Sequence, residues 1–287
     1  MKSTSFGGTL RIAWKRSQSL FLPYLIIHVL SGLLMLCVLI VAGLIVIPFV
    51  ITKNIIVLVP LTIIMGIIAL GFVIYISAWS TLIATKLLKD PTKSLKVLAK
   101  DTKKDVLALV KTNVLMGVFF IGLLPLGIVS AFTIYIIWSL WAAMTTLSFV
   151  YEKRRGLDAL WRSKEIVQQK FWSVVGLLVL STGGSIIINS LFQQFDVPLR
   201  EVLTNLIGIL LSVFVLCGLY ELFTQVPKAE SPSKRPHLWV LIAKIGYAVL
   251  ILLIGLAISF GGEQWKEMQN VLQRNIPREI DRTIEQL

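Results

Sequence analysis

The chain has 287 residues, of which 56% are hydrophobic and only 15% are charged, and its mean hydropathy is +0.84. A soluble domain has about 25% charged residues. Apolar runs longer than about 18 residues recur along this chain, and each is long enough to cross a bilayer as a helix. The composition therefore excludes a soluble protein and predicts an all-α, polytopic helical membrane protein.

Apolar runs divide the chain into seven predicted spans, or six if the third and fourth do not both cross. They are about Leu22–Ile47, Ile55–Ile83, Leu107–Leu124, Leu126–Val150, Phe171–Leu191, Val202–Phe223 and Leu238–Phe260. A tight turn is expected at the sequence LLPLG (123–127). The first run exceeds the apolar core of a signal peptide, which is about 7–15 residues, so it is expected to stay in the membrane.

Basic residues are unevenly distributed around these spans, and the formal net charge is +13. Lys and Arg concentrate in 1–21, 86–111, 152–170 and 227–236. Loops rich in Lys and Arg stay in the cytoplasm. The N-terminus is therefore expected inside and, with seven spans, the C-terminus outside, in the plasma (inner) membrane of a bacterium. Because this rule accounts for the basic loops, no nucleic-acid partner is expected.

A short amphipathic pattern precedes three of the spans. When Leu157 is aligned with Leu10, Trp161 falls on Trp14 and Arg162 on Lys15; the segment from Leu95 aligns in the same way. This spacing predicts a helix with one apolar and one basic face, lying in the headgroup region. The alternative interpretation is ordinary basic sequence next to a membrane span.

The repeated pattern suggests three units, each an interfacial helix followed by a transmembrane hairpin. Their approximate bounds are 8–86, 92–151 and 156–226, within a six-span membrane domain, 1–226. A cytoplasmic loop and seventh span (227–260) follow, and then an amphipathic tail (261–287) predicted to be extracytoplasmic. A narrow apolar stripe in this tail suggests a protein partner or self-association through 263–287.

Two groups of candidate functional residues follow from charge and position. The predicted lipid-interface residues are Trp14, Lys15, Lys96, Lys100, Lys103, Trp161, Arg162, Lys170 and Trp172. Tryptophan favours the membrane interface, and Lys and Arg favour anionic phospholipid, which is the predicted partner at the cytoplasmic face. Within the membrane, Glu221 and Lys244 are predicted to form an ion pair, because a lone charge there is costly. His28, at a similar depth, is a further candidate member.

Residues 152–180, EKRRGLDALWRSKEIVQQKFWSVVGLLVL, carry a family resemblance. The matching residues are Glu152, Gly156, Ala159, Leu160, Arg162, Ser163, Phe171 and Trp172. The segment resembles the bacterial membrane domain associated with glycerophosphoryl diester phosphodiesterases and related stand-alone membrane proteins of unknown function. The layout is compatible over 8–226. The resemblance implies a membrane architecture but not hydrolysis, because the chain has no room for that family's soluble catalytic barrel.

No motif of a known enzyme is visible, so no catalytic residue, cofactor or metal is predicted. His28 and His237 lie in no metal-binding pattern, and Cys37 and Cys217 lie in apolar spans as small hydrophobic residues. The preferred function is a non-enzymatic, lipid-associated scaffold or envelope-related factor. The alternative is a transporter or channel for a small or lipid-like solute. An unrecognised intramembrane enzyme is the second alternative.

Transport would require polar residues near the middle of the membrane. The sequence candidates are Asn113, Thr182, Ser185 and Asn189. Because this set is small and has no carboxylate, the sequence favours the scaffold over the transporter. A ligand-sized polar cavity that opens to one side of the membrane would favour the transporter instead.

Overall fold

The computed structural model describes residues 5–51, 55–130, 133–193, 197–228, 238–255 and 258. Every regular element in these ranges is an α-helix. The helices are α1 (Phe6–Ile51), α2 (Ile55–Lys89), α3 (Leu95–Val129), α4 (Thr133–Ala142), α5 (Thr145–Tyr151), α6 (Leu157–Gln169), α7 (Phe171–Phe192), α8 (Val197–Thr224) and α9 (Leu238–Gly255). The predicted all-α class is confirmed.

Within the described ranges, seven segments are long and apolar enough to cross a membrane. They are Phe6–Pro48, Val57–Lys89, Leu95–Ile128, Thr133–Tyr151, Phe171–Phe192, Leu199–Thr224 and Leu238–Gly255. Only 6% of the most apolar window is buried inside the protein in each of the first two segments. Such surfaces need an apolar solvent, and helices satisfy their backbone hydrogen bonds internally. The chain is a polytopic helical membrane protein.

The amphipathic segments join their spans in two different ways. In the first two predicted units, the basic segment and the following span form one continuous helix, α1 and α3 respectively. The prediction of separate helices lying flat there is wrong, because neither junction has a helix break. Only the third unit has one: α6 ends before Lys170, whose backbone is non-helical (φ −123°, ψ 25°), and α7 begins at the next residue.

The third and fourth spans also differ from expectation. The predicted LLPLG turn is wrong, because residues 123–127 continue α3 through Pro125, and α3 ends at Val129. Proline is tolerated within transmembrane helices, where neighbouring groups can satisfy the backbone it frees. The fourth span is interrupted instead. It ends as α4 at Ala142 and resumes as α5 at Thr145.

The described residues belong to two compact units. The first unit comprises Met1–Gly117 and Ile136–Arg235. In it α1 packs against α2 and α8, α7 packs against α8, and α5 packs against α6. Its core includes Leu20, Leu87 and Val174, all at most 2% exposed.

The second unit comprises Val118–Tyr135 and Pro236–Leu287. Here α9 crosses α3 closely, since a Cβ built on Gly246 would collide with the carbonyl group of Gly122. The Tyr247 hydroxyl donates a hydrogen bond to the Val118 carbonyl oxygen. Small residues permit such close approach between membrane helices. Contacts thus group 118–135 with the last span, although the sequence placed them in 1–226.

The three-unit repeat stays a prediction, and the predicted tail helix (261–287) lies outside the described residues.

Candidate functional site

Charged residues of the first unit concentrate in a basic layer, defined here as residues 5–20, 86–112, 151–170 and 220–228. At its centre Arg162 is only 3% exposed. Its Nε donates to Glu152 Oε2 at 2.8 Å, and its Nη2 donates to Glu152 Oε1 at 3.0 Å and to the Pro227 carbonyl oxygen. Burial lowers the pKa of Arg162, but hydrogen bonds and charge from Glu152 and then Glu165 raise it overall. Arg162 is therefore a cross-link between three segments.

Ser163 forms hydrogen bonds with backbone groups at the point where the fourth span is interrupted. Its Oγ accepts a hydrogen bond from the Met144 N–H at 3.0 Å and donates one to the Trp141 carbonyl oxygen. The turn before α6 is anchored in a similar way. The Gly156 N–H donates to Thr112 Oγ1 at 3.0 Å. Several residues of the segment 152–180 thus hold the basic layer together.

Trp161 and Arg162 were predicted to contact lipid, and the structure corrects both. Trp161 is 1% exposed, and its ring lies 5.4 Å from that of Trp138, measured between centroids. The cause is that α6 packs its apolar face against α5 rather than against the membrane. Lys164 Nζ lies 4.7 Å from the centroid of the Trp141 ring, and burial lowers the pKa of Lys164.

The remaining predicted interface residues lie near the protein surface. Trp14 is 48% exposed and touches Phe214 edge-on, and Trp172 is 81% exposed. Both can contact lipid. Of the five predicted lysines, four are exposed (Lys15, Lys96, Lys100 and Lys103), while Lys170 is half-buried.

Acidic side chains of the basic layer mostly pair with basic side chains of the same layer. Asp105 pairs with Lys86 at 3.1 Å and with Arg155 at 3.3 Å. Asp90 pairs with Lys93 at 2.9 Å, and this hydrogen bond raises the pKa of Lys93. By contrast, Lys96, Lys100 and Lys103 on α3 have no ion-pair partner within the part of the chain that the structure describes. The surface of α3 therefore presents an excess of positive charge, since Asp101 is its one exposed acidic residue.

Glu221 was predicted to pair with Lys244, but the structure gives it a different partner. Arg16 Nη1 forms an ion pair with Glu221 Oε1, and the Arg16 guanidinium lies 4.9 Å from the centroid of the Tyr220 ring. This partner is available because α1 packs along α8 and its basic part continues the same helix. Lys244 belongs to the second unit and is exposed. The ion pair therefore joins α1 to α8.

Two cavities open in the basic layer. The Lys15 cavity has a volume of about 320 Å³ and is lined by Ile12, Lys15, Arg16, Ser19, Leu20, Leu88 and Pro91. The Lys89 cavity has a volume of about 450 Å³ and is lined by Lys89, Tyr151, Glu152, Tyr220, Phe223, Thr224, Val226, Pro227 and Lys228. Both combine cationic side chains with apolar walls. Such a lining can bind an anionic group attached to an apolar chain.

A third cavity, here called the polar groove, lies among the helices α1, α7 and α8. Its volume is about 410 Å³, and its lining is His28, Ser181, Ser185, Ile188, Asn189, Thr204, Asn205, Gly208, Ile209, Leu211 and Ser212. The sequence candidates Ser185 and Asn189 lie in it, whereas Thr182 and Asn113 do not line it. Sequence reasoning missed the contribution of α8, because single Thr, Asn and Ser residues in an apolar run carry little signal alone.

No family model, no curated protein and no solved structure matches this chain. The resemblance of 152–180 to the phosphodiesterase-associated membrane domain therefore stays a prediction. Across the described ranges, no three His, Cys, Asp or Glu side chains come together to hold a metal ion.

Proposed function

We propose that this chain is a non-enzymatic multi-pass protein of a bacterial plasma membrane that binds anionic phospholipid through its basic layer. It would act as a lipid-associated scaffold or envelope-related factor, with the basic layer facing the cytoplasm. The proposal rests on the contrast between paired and unpaired charged side chains in the basic layer. Asp90 and Asp105 pair with cations inside the layer, while Lys96, Lys100 and Lys103 point outward unpaired.

The energetic argument concerns these outward lysines. A basic residue close to an anionic leaflet contributes about 1 kcal/mol of attraction. The three lysines recur every three or four residues along α3, so they share roughly one side of the helix and can meet the same membrane surface. The Lys15 cavity adds a site whose lining suits a lipid. Its Ile12 and Leu88 walls suit the upper acyl chain, and Lys15 suits a phosphate.

The test is retention of lipid by the purified protein. We expect Lys96→Ala/Lys100→Ala/Lys103→Ala to lose at least fivefold of its co-purifying phosphatidylglycerol, relative to phosphatidylethanolamine, in native mass spectrometry. Gln18→Ala/Gln168→Ala/Gln169→Ala is the control, because it truncates three exposed uncharged side chains of the same layer. Equal phosphatidylglycerol retention in the lysine variant and wild type would refute the proposal.

The polar groove supports a second candidate function, transport of a small or lipid-like solute. Polar side chains within spans are typical of solute pathways. The two functions differ in an observable way. Transport requires flux of a solute across vesicles that contain the purified protein, whereas lipid binding at the basic layer does not.

A further inference from the structure

The polar groove is unusual for its position in a membrane protein. His28, Asn189 and Asn205 are exposed, so the groove opens at the protein surface rather than closing inside the helix bundle. The Thr204 Oγ1 atom is buried and has no hydrogen-bond partner within the described part of the chain. An unsatisfied polar group in hydrocarbon costs several kcal/mol. Thr204 Oγ1 is too buried to reach an occupant, but the exposed His28, Asn189 and Asn205 side chains favour one that can form hydrogen bonds.

The groove begins inside the spans, away from the basic layer, and extends toward their far ends. His28 follows Arg16 on α1 by about 18 Å along the helix axis, at 1.5 Å per residue. Ser212 precedes Glu221 on α8 by about 14 Å on the same scale. Because Arg16 and Glu221 pair with each other, both measurements start from one level. The groove consequently begins more than two helical turns below the basic layer and reaches Asn189, three residues before the end of α7.

The lining chemistry selects the kind of occupant. The polar side chains are hydroxyls, amides and one imidazole, and no Asp, Glu, Lys or Arg is among them. A lining of this kind offers several hydrogen-bond donors and acceptors but no charge to balance an ion. The volume of about 410 Å³ falls within the usual range for small-ligand sites, about 300–1,000 Å³. It suits an uncharged group that carries several hydroxyls.

The surface around the groove indicates how such a group would arrive. On α7, Ile186 and Ile187 are each 62% exposed and Leu191 is 60% exposed; on α1, Val29 and Leu33 are 53% and 54% exposed. These side chains neighbour the groove in sequence and would face acyl chains. A headgroup can enter such an opening sideways while its chains remain in the bilayer.

We propose that the polar groove binds the uncharged, hydroxyl-bearing headgroup of a membrane lipid, such as a glycosylated diacylglycerol. This site is distinct from the basic layer, both in its depth and in its preference for neutral ligands. A free polyol presents the same hydrogen-bonding chemistry. The exposed apolar side chains beside the opening favour the lipid, because a free polyol has no apolar chain that could contact them.

The experiment uses a photoactivatable monoglucosyl diacylglycerol in phosphatidylcholine vesicles that contain the full-length protein. The groove variant is Ser185→Val/Asn189→Leu. The matched control is Thr182→Val/Ser190→Val, because it removes polar groups from the same helix that do not line the groove. We expect labelled peptides from α1, α7 and α8, at least a fivefold loss of labelling in the groove variant, and less than a twofold change in the control.

Further arms separate the possible occupants. Photoactivatable phosphatidylglycerol should label the groove at least fivefold less than the glucosyl lipid. Excess methyl glucoside should compete less well than unlabelled glucosyl lipid, because it lacks acyl chains; equal competition by both would assign the groove to free polyols and overturn the lipid proposal. Asn189→Ala is a milder variant that keeps the test valid if the double variant does not fold, and it should lower labelling at least twofold. Unchanged labelling in folded groove variants overturns the proposal, and if those variants also lose self-association, the groove is a contact with a second copy.

Discussion

Whether the Arg162 side chain is buried or exposed depends on partners that are supplied by other segments of the chain. Its sequence context, next to a tryptophan and before an apolar span, is typical of an interfacial cation. In the structure it is buried because Glu152 and the Pro227 carbonyl group come from other segments to meet it. A buried cation of this kind requires those partners, since a charge without them would bear the full cost of leaving water.

We predict that Arg162→Met and Glu152→Gln each destabilise the protein, by up to about 3–5 kcal/mol, because each removes the main partner of a buried charge. Only a weaker partner is left in each variant, Arg154 at 3.9 Å from Glu152 or Glu165 at 3.3 Å from Arg162. The double variant should lose less than the sum of the two. A double-mutant cycle of unfolding in mixed detergent micelles measures this coupling. Arg155→Met is the control, because its pair with Asp105 is more exposed and should contribute about 1 kcal/mol or less. Additive losses for Arg162 and Glu152 would contradict the cross-link.

At the scale of elements, the turn between α5 and α6 sets the orientation of the α6 helix. Gly156 ends this turn with φ +56° and ψ −140°, a backbone conformation that is essentially restricted to glycine. Its N–H is tied to Thr112 on α3. The conformation of one residue therefore helps to direct the apolar face of α6 inward, where it buries Trp161.

We predict that Gly156→Ala destabilises the protein by about 1–3 kcal/mol, because the added Cβ disfavours this backbone conformation. The Cβ would also lie 3.3 Å from Leu115 Cδ1. Thermal unfolding followed by circular dichroism measures the effect. Gly66→Ala in α2 is the matched control, since no atom lies within 4 Å of the position that its new Cβ would take, and helical Gly→Ala is favourable by about 0.5–1 kcal/mol. Equal unfolding temperatures for Gly156→Ala and wild type would contradict the strain argument.

At the scale of the whole molecule, the asymmetric distribution of Lys and Arg predicts the orientation in the membrane. The basic layer gathers the N-terminal part of α1, the first half of α3, and α6 in one unit. The opposite ends of α7 and α8 carry few cations. Positively charged segments are retained on the cytoplasmic side during insertion.

We predict that Lys100→Cys, in a Cys37→Ser/Cys217→Ala background, reacts with a membrane-impermeant maleimide in inside-out bacterial vesicles and not in intact spheroplasts. Gln193→Cys, just after the last residue of α7, is the control and should show the opposite pattern. Reaction of Lys100→Cys from outside in intact spheroplasts would refute the orientation.

The sequence by itself determined the class of this protein, because hydropathy and helix length are properties of continuous segments. Seven apolar runs predicted seven candidate spans, and seven occur in the described ranges. The position of a helix break was harder to predict, as LLPLG shows, because neighbouring helices decide whether a proline interrupts a span.

Only the tertiary structure decided which polar residues meet. Trp14 and Trp161 have the same local pattern, yet one is 48% exposed and the other 1%. Glu221 pairs with Arg16, more than 200 positions away in the chain. The polar groove likewise assembles residues of three helices, none of them diagnostic alone. Burial and pairing depend on contacts between distant segments, whereas hydropathy and charge distribution are already present in the unfolded chain.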